Sequence, residues 1–205
     1  MSGILFYVII RRNQNKGSNM KHTMIVLMGG QGVGKGTFAR MLMEQGKYRY
    51  VEAGAILRSA PADSEIAKTI SRGELVTDEL LFDIIGKAID ADLNGDMIVD
   101  GFPRTMGQAK WLVETYADKF NVHVLYLDVP ETIMVERIEK RIREGGGRAD
   151  DADSAAVRRR LDNFWKTTVP AIEWLRTVSN IKFSDLDVCA PDVTTNFEKV
   201  KKALA

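Results

Sequence analysis

A glycine-rich stretch near the start of the chain has the residue types and spacing needed to hold phosphate. Residues 29–37 read Gly-Gly-Gln-Gly-Val-Gly-Lys-Gly-Thr and follow an apolar run at 24–28 that is typical of a buried strand. Glycines let successive backbone N–H groups face an anion, the next helix adds its dipole, and Lys35 adds a point charge. The alternative, a glycine-rich turn with a solvated lysine, is disfavoured by this strand–loop–helix context. The predicted phosphate-binding residues are Gly32, Val33, Gly34, Lys35, Gly36 and Thr37.

A second group of positive charges lies far along the chain. Residues 137–160 hold eight basic and five acidic residues, whereas residues 44–136 hold nine basic and seventeen acidic ones. Arg137 and Arg141 are one helical turn apart, so both reach from one face of a helix. Arginine suits phosphate because its planar fork meets two oxygens at once. The alternative to phosphate binding is that these side chains form a basic helix face exposed to solvent. If the residues of this helix are considered without the rest of the chain, that alternative is favoured.

Two further candidates follow an apolar run at 97–99. Asp100 and Arg104 stand where a strand ends, which is where ligands bind in doubly wound sheets. Asp100 suits Mg²⁺ held through water, because magnesium keeps several waters in phosphate sites. A turn or helix cap is the alternative for Asp100. His22 and His123 are interpreted as tail and strand residues rather than as catalytic groups.

Short apolar runs alternate with longer helical patterns along the rest of the chain. We predict strands at 24–28, 97–99, 122–127 and 181–183, with a weaker fifth at 48–51. The predicted helices span residues 37–45, 79–92, 108–120, 131–144, 154–167 and 192–204. This alternation predicts an α/β fold with a parallel sheet covered by helices on both faces.

Composition excludes several classes of protein. The 205 residues, 45% apolar and 28% charged, suit one sizeable globular domain. A net charge of +1 argues against broad nucleic-acid binding. The lone Cys189 excludes an intramolecular disulfide framework and an all-cysteine metal site. The apolar run at 4–10 is too short to span a bilayer, so we predict no membrane attachment and a cytoplasmic location. Residues 1–22 are predicted to form a flexible N-terminal extension.

Four further stretches, in order with the phosphate loop, resemble the adenylate kinases. They are Glu-Ala-Gly-Ala-Ile-Leu-Arg at 52–58, Gly-Glu-Leu-Val-Thr-Asp-Glu at 73–79, Asp-Gly-Phe-Pro-Arg-Thr at 100–105 with Gln108, and Gly-Arg-Ala-Asp-Asp at 147–151. The resemblance implies a P-loop NTPase fold over 23–205: a five-stranded parallel sheet flanked by helices, a small NMP-binding insertion at about 53–76 and a short lid at about 141–153. It implies reversible transfer of the γ-phosphoryl of Mg-ATP to AMP, giving two ADP.

The same resemblance assigns roles to individual residues. Arg104, helped by Arg58, grips the acceptor phosphate, and the Arg148-to-Arg159 spacing matches the lid pattern of the family. The implied catalytic residues are Lys35, Arg104, Arg137, Arg141, Arg148 and Arg159. Arg137 and Arg141 join the loop residues in binding ATP. The implied AMP-binding residues are Ala53, Gly54, Arg58, Glu74, Leu75, Val76, Gly101, Arg104, Gln108, Arg148 and Arg159.

Departures from the family pattern bear on the acceptor. Ala53 stands where adenylate kinases usually have Thr, as it does in UMP/CMP kinases, and Ala55 replaces a usual acid. Gln108 matches the adenine-reading glutamine, and an amide can pair with a purine edge by two hydrogen bonds. AMP is therefore favoured; a UMP/CMP-type kinase and an inactive nucleotide-binding protein stay open. The short lid lacks a cysteine-bearing insertion, so we predict no zinc. The resemblance further implies Mg²⁺ bound with ATP, and ATP and AMP as the partners. We also predict a monomer.

Overall fold

In the computed structural model, which describes residues 21–46, 48–72, 74–145 and 153–205, the centre of the fold is a five-stranded parallel sheet. The strands are β1 (His22–Met28), β2 (Arg49–Glu52), β3 (Met97–Asp100), β4 (Phe120–Asp128) and β5 (Lys182–Asp187). Their order across the sheet is β2-β3-β1-β4-β5, and each neighbouring pair is parallel. The predicted α/β class and the five-stranded parallel sheet are confirmed.

Helices form the connections between these strands. The first group is α1 (Lys35–Gln45), α2 (Ala53–Arg58), α3 (Glu65–Ser71), α4 (Asp78–Asp90) and α5 (Met106–Tyr116). The second group is α6 (Glu131–Arg143), α7 (Ser154–Asn163), α8 (Val169–Arg176) and α9 (Val193–Leu204). A π-helical segment, Phe164–Thr168, joins α7 to α8. The chain is therefore helical without a break from Ser154 to Arg176.

The middle strands are buried on both faces. The residues of β1 from Met24 to Met28 are at most 2% exposed, and all four residues of β3 are buried. Successive side chains of a strand point to opposite faces, so helices must cover both sides of the sheet. This core holds the carboxyl ends of β1 and β3 side by side, at the edge where the polar side chains project.

Some helix bounds differ from the prediction. Phe120 was expected at the end of a helix because it continues the four-residue spacing of Leu112 and Tyr116, but it begins β4 and pairs with His22. The helix predicted at 154–167 changes to π geometry at Phe164 and then continues as α8. The short helices α2 and α3 were not predicted, because two turns carry too little hydrophobic periodicity to be recognised.

The ordered fold includes the last two residues of the extension predicted at 1–22. His22 begins β1, and the Lys21 ammonium donates to the carbonyl of Ala117 at 3.2 Å. The other residues of that prediction, 1–20, lie outside the described residues. Across the described ranges, no helix combines the length and apolar character needed to cross a membrane.

Candidate active site at the carboxyl edge of the sheet

A cavity of about 810 Å³ opens at the carboxyl ends of β1 and β3. The loop after β1 lines one side, and the residues that follow β2 and β3 line another. Side chains of α6, of the α7 and π-helical stretch, and of the segment 190–196 also line it. Ligands of open parallel sheets bind at this edge, so the cavity is the first candidate for a functional site.

The loop between β1 and α1 has the backbone shape of an anion cradle. Gly32 and Gly34 adopt left-handed φ angles of +82° and +105°. A Cβ at Gly32 would also lie 2.5 Å from the carbonyl oxygen of Met134, so the tight curl excludes a side chain there. Lys35, the first residue of α1, donates from Nζ to the carbonyls of Gly29 at 2.8 Å and Gly30 at 2.7 Å. Its ammonium is therefore held inside the curl of the loop.

Arg137 connects α6 to this cradle. Its Nη1 donates to the carbonyl of Val33 at 3.3 Å, and its Nη2 donates to the carbonyl of Val188 at 2.9 Å. Lys140 and Arg141, about one turn further along α6, line the same cavity. Side chains from α6 therefore concentrate positive charge on the cradle side of the cavity.

Two arginines lie over glycines at the ends of β2 and β3. A Cβ at Gly54 would be 2.8 Å from Nη1 of Arg58, and a Cβ at Gly101 would be 3.2 Å from Nη2 of Arg104. The Nε of Arg104 donates to the carbonyl of Gly101 at 2.8 Å. The Gly101 Cβ position is also 3.6 Å from the backbone nitrogen of Gly54, so the two glycines are neighbours. We call Gly54, Arg58, Gly101 and Arg104 the arginine wall.

Carboxylates accompany the arginine wall. Glu52 is the last residue of β2, stands in register with Asp100 at the end of β3, and accepts from Nη2 of Arg58 at 2.8 Å. The Tyr50 hydroxyl donates to Oδ2 of Asp100 at 2.9 Å and lies 3.4 Å from Oε2 of Glu52. Burial raises the pKa of Tyr50, so its hydroxyl keeps the proton that it donates. The single hydroxyl proton of Tyr50 therefore goes to Asp100, and Glu52 lies close beside this pair.

Asp100 is the more deeply buried of these carboxylates, with 5% of its surface exposed. Burial raises its pKa, while the Lys35 ammonium acts in the opposite direction. Mg²⁺ in phosphate sites is held by one or two carboxylates together with waters and phosphates. Asp100 fits that role by its oxygen donors and its place beside Lys35. The described ranges contain no cluster of three or more metal-ligating side chains, so they offer no all-protein metal cage.

Neighbouring arginines on α7 face different surroundings. Arg160 lines the cavity. Arg159 lies outside the lining: its Nε donates to the carbonyl of Arg72, and its Nη2 is 3.4 Å from the Asp153 carboxylate. Successive residues of a helix differ in direction by about 100°, so the two side chains leave α7 towards different surroundings.

Gln108 is fully buried, and both polar atoms of its amide have protein partners. Its Nε2 donates to Oδ1 of Asp78 at 2.7 Å, and its Oε1 accepts from the backbone N–H of Arg104 at 2.7 Å. A carboxylate can only accept and an N–H can only donate, so these partners fix the orientation of the amide. The side chain is not part of the cavity lining.

Comparison with known proteins identifies the family. A family model described as adenylate kinase matches residues 27–180 of the chain. The chain belongs to the adenylate kinase family. It is 32% identical to an adenylate kinase of Prochlorococcus marinus (strain MIT 9301), an alignment that covers 88% of this chain and 98% of that protein. It is 37% identical to an adenylate kinase of Parvibaculum lavamentivorans, over 78% of this chain and 86% of the relative.

The structure brings most of the residues that the adenylate kinase resemblance singled out to one cavity. Those that line it are Gly32, Val33, Gly34, Lys35, Gly36, Thr37, Gly54, Arg58, Glu74, Leu75, Val76, Asp100, Gly101, Arg104, Arg137 and Arg141. Ala53 and Gln108 are buried outside the lining, and Arg159 also lies outside it. Arg148 and most of the predicted lid lie outside the described residues. The binding roles of all these residues stay predictions.

Sequence reasoning missed several residues of this adenylate kinase site. Arg160 and Glu52 line the cavity, and the Tyr50 hydroxyl donates to Asp100, which also lines it. The hydroxyl of Thr168, in the π-helical segment, donates to the carbonyl of Arg104 at 2.9 Å. The strand-end position of Glu52 was a usable signal. For Tyr50 and Thr168 no local signal exists, because their partners lie 50 and 64 residues away.

Proposed function

We propose that the chain transfers the γ-phosphoryl group of Mg-ATP reversibly to AMP, giving two ADP. One observation carries the proposal: the phosphate cradle with Lys35 and the arginine wall border the same cavity. A reaction between two phosphate-bearing nucleotides requires two anion sites that open onto each other. Membership of the adenylate kinase family supports the same reaction.

The proposed step exchanges one phosphorus–oxygen bond for another. An oxygen of the AMP phosphate attacks the γ-phosphorus of ATP, the bond to the bridging oxygen breaks, and ADP leaves with that electron pair. The attacking oxygen is already ionised near neutral pH, so no protein base is needed. Catalysis then rests on position and on positive charge around the transferring group. Closure over the bound nucleotides keeps water from accepting the phosphoryl group.

The residues divide between donor and acceptor. The cradle residues 32–37 hold the ATP phosphates, Lys35 neutralises the outer ones, and Arg137 and Arg141 extend the positive charge. Arg58 and Arg104 hold the AMP phosphate. Arg160 takes the role first assigned to Arg159, because Arg160 is the α7 arginine that lines the cavity. Arg148 remains assigned to the same role by resemblance.

Mg²⁺ arrives with ATP and neutralises charge on the phosphates when bound. Asp100 would hold the ion through water, and no step requires zinc. The base of AMP lies against Leu75 and Val76, with Gly54 and Gly101 beneath its phosphate. Gln108 contacts adenine only if its amide first gives up one of its two present partners. Ala53 and Glu74 are assigned to AMP binding by the family resemblance alone.

The remaining expectations of the proposal concern assembly and location. The chain acts as a monomer on ATP and AMP, without nucleic acid or membrane, in the cytoplasm. Size-exclusion chromatography with light scattering tests the monomer directly.

The test is a coupled assay of ADP formation by purified protein. ATP and Mg²⁺ are supplied with AMP, UMP or CMP in turn, and a Lys35→Ala variant is run beside the unaltered protein. We expect ADP with AMP, little product with the pyrimidine nucleotides, and loss of turnover in the variant. Absence of ADP with AMP would refute the proposal, and a preference for UMP or CMP would reassign the acceptor.

A further inference from the structure

A carboxylate already contacts the arginine wall at the place where an acceptor anion would bind. Glu52 accepts from Nη2 of Arg58 at 2.8 Å, and both residues line the cavity. The guanidinium of Arg58 offers a planar fork that suits one carboxylate or one phosphate. Glu52 therefore occupies part of the hydrogen-bonding capacity that the proposed function gives to the AMP phosphate.

The Glu52–Arg58 pair is exposed enough to exchange. The side chains of Arg58 and Glu52 are 31% and 24% exposed, respectively. Partly exposed ion pairs are weak because water screens them and because two long side chains lose freedom. A phosphate with three oxygens and a larger negative charge can therefore displace the carboxylate from Arg58.

Displacement does not remove Glu52 from the site. Glu52 stands in register with Asp100, and the Tyr50 hydroxyl lies 3.4 Å from Oε2 of Glu52 and 2.9 Å from Oδ2 of Asp100. Backbone pairing keeps both carboxylates at the edge of the arginine wall, and the single hydroxyl proton of Tyr50 goes to the nearer one, Asp100. An arriving phosphate therefore meets like charge as well as a partly occupied arginine, and both effects weaken its binding.

We propose that Glu52 is an internal competitor of the acceptor phosphate and thereby sets the affinity of the enzyme for its acceptor. The inference rests on the proposed function, in which Arg58 binds that phosphate. Glu52 acts mainly on acceptor binding, because its carboxylate accepts from Arg58 of the arginine wall.

The decisive variant is Glu52→Gln, which keeps the size of the side chain and removes its charge. We expect KM for AMP to fall about fivefold, the effect of losing a weak ion pair that opposes binding. We expect KM for ATP and kcat to change less than about twofold. Glu173→Gln removes a charge of the same kind from an exposed ion pair on α8 and is the matched control. An unchanged or raised KM for AMP in Glu52→Gln would overturn the proposal.

A binding measurement separates this inference from the proposed function. Isothermal titration of AMP into nucleotide-free protein is expected to show tighter binding to Glu52→Gln than to the unaltered chain. Binding of AMP to neither protein contradicts the proposed function, whereas equal binding to both contradicts only the role of Glu52. In an Arg58→Ala background, Glu52→Gln should give a smaller gain, because only the repulsion between like charges is left to relieve, and a full gain there would show that Glu52 does not act through Arg58. If Glu52→Gln does not fold, Glu52→Asp, which draws the charge back from Arg58, is expected to lower KM for AMP in the same way.

Discussion

In the proposed function, the two sides of the cavity hold anions by different means. On the cradle side, glycine conformations shape the loop, and Lys35 donates to carbonyls of that same loop. On the side of the arginine wall, side chains form the site, and Glu52 and Asp100 lie among them. A site made from backbone depends on a short local segment. A site made from side chains depends on contacts between strands that are distant in sequence.

The largest effect is expected on the cradle side. Replacing Lys35 by Ala removes the charge next to the outer phosphates, so we expect kcat/KM to fall by about 10³-fold. Steady-state assays of ADP formation measure the loss. Lys87→Ala, which removes an exposed lysine paired with Asp83, is the control and should leave the rate unaltered. A loss below tenfold would mean that the backbone alone holds the donor phosphates.

A smaller and more selective effect is expected from the arginine wall. Arg104→Ala removes charged hydrogen bonds to the acceptor phosphate, so KM for AMP should rise by about 10- to 100-fold. KM for ATP should change by less than about twofold, because the cradle is left intact. Initial rates over a grid of both substrates measure the two constants. Equal increases in both constants would show that the two sides are not separate sites.

Because the cradle depends on glycine backbone conformations, we expect replacement of one of its glycines to lower the stability of the protein. Gly32→Ala places a Cβ at a φ of +82° and 2.5 Å from the carbonyl of Met134, so we expect a loss of about 1–3 kcal/mol in the free energy of unfolding. Gly95→Ala is the matched control, since a Cβ there meets no atom within 4 Å. Urea denaturation followed by circular dichroism measures both variants. Equal stability of the two would contradict the tight curl of the loop.

The smallest expected effect is a difference in kcat between variants of two adjacent arginines of α7. Arg160→Ala should lower kcat by about tenfold, because Arg160 borders the cavity where charge develops. Arg159→Ala should lower it by less than about threefold, since its partners are Arg72 and Asp153 at the surface. Single-turnover measurements compare the chemical step in both. The reverse ranking would restore the assignment made from sequence spacing.

The same contrast explains what could be predicted from the sequence. The cradle was predicted residue by residue, because a strand, a glycine loop and a helix follow one another without interruption. All five strands were predicted from local apolar runs, although the run predicted for β5 ends four residues early because polar residues such as Ser184 and Asp185 follow Phe183. Sequence patterns are sufficient to predict structure wherever the residues that form it are close together in the chain.

The acceptor side was less predictable. The sequence placed Arg58 and Arg104, but not the pairing of Glu52 with Arg58 or the Tyr50 hydroxyl between two carboxylates. The choice of Arg159 failed to find the arginine that lines the cavity, because spacing along a chain does not report rotation about a helix. Gln108 was interpreted by its type alone, whereas its neighbours Asp78 and Arg104 determine where its amide points.

The unbroken helical stretch from Ser154 to Arg176 relates the two sides of the cavity to each other. It carries Arg160 into the cavity, and one residue before α8 begins, its Thr168 hydroxyl holds the carbonyl of Arg104. Both contacts belong to one continuous helical stretch, so the distance between them is set by helical backbone and not by a loop. Any shift of this helical stretch would therefore move Arg160 and the backbone contact of Arg104 together.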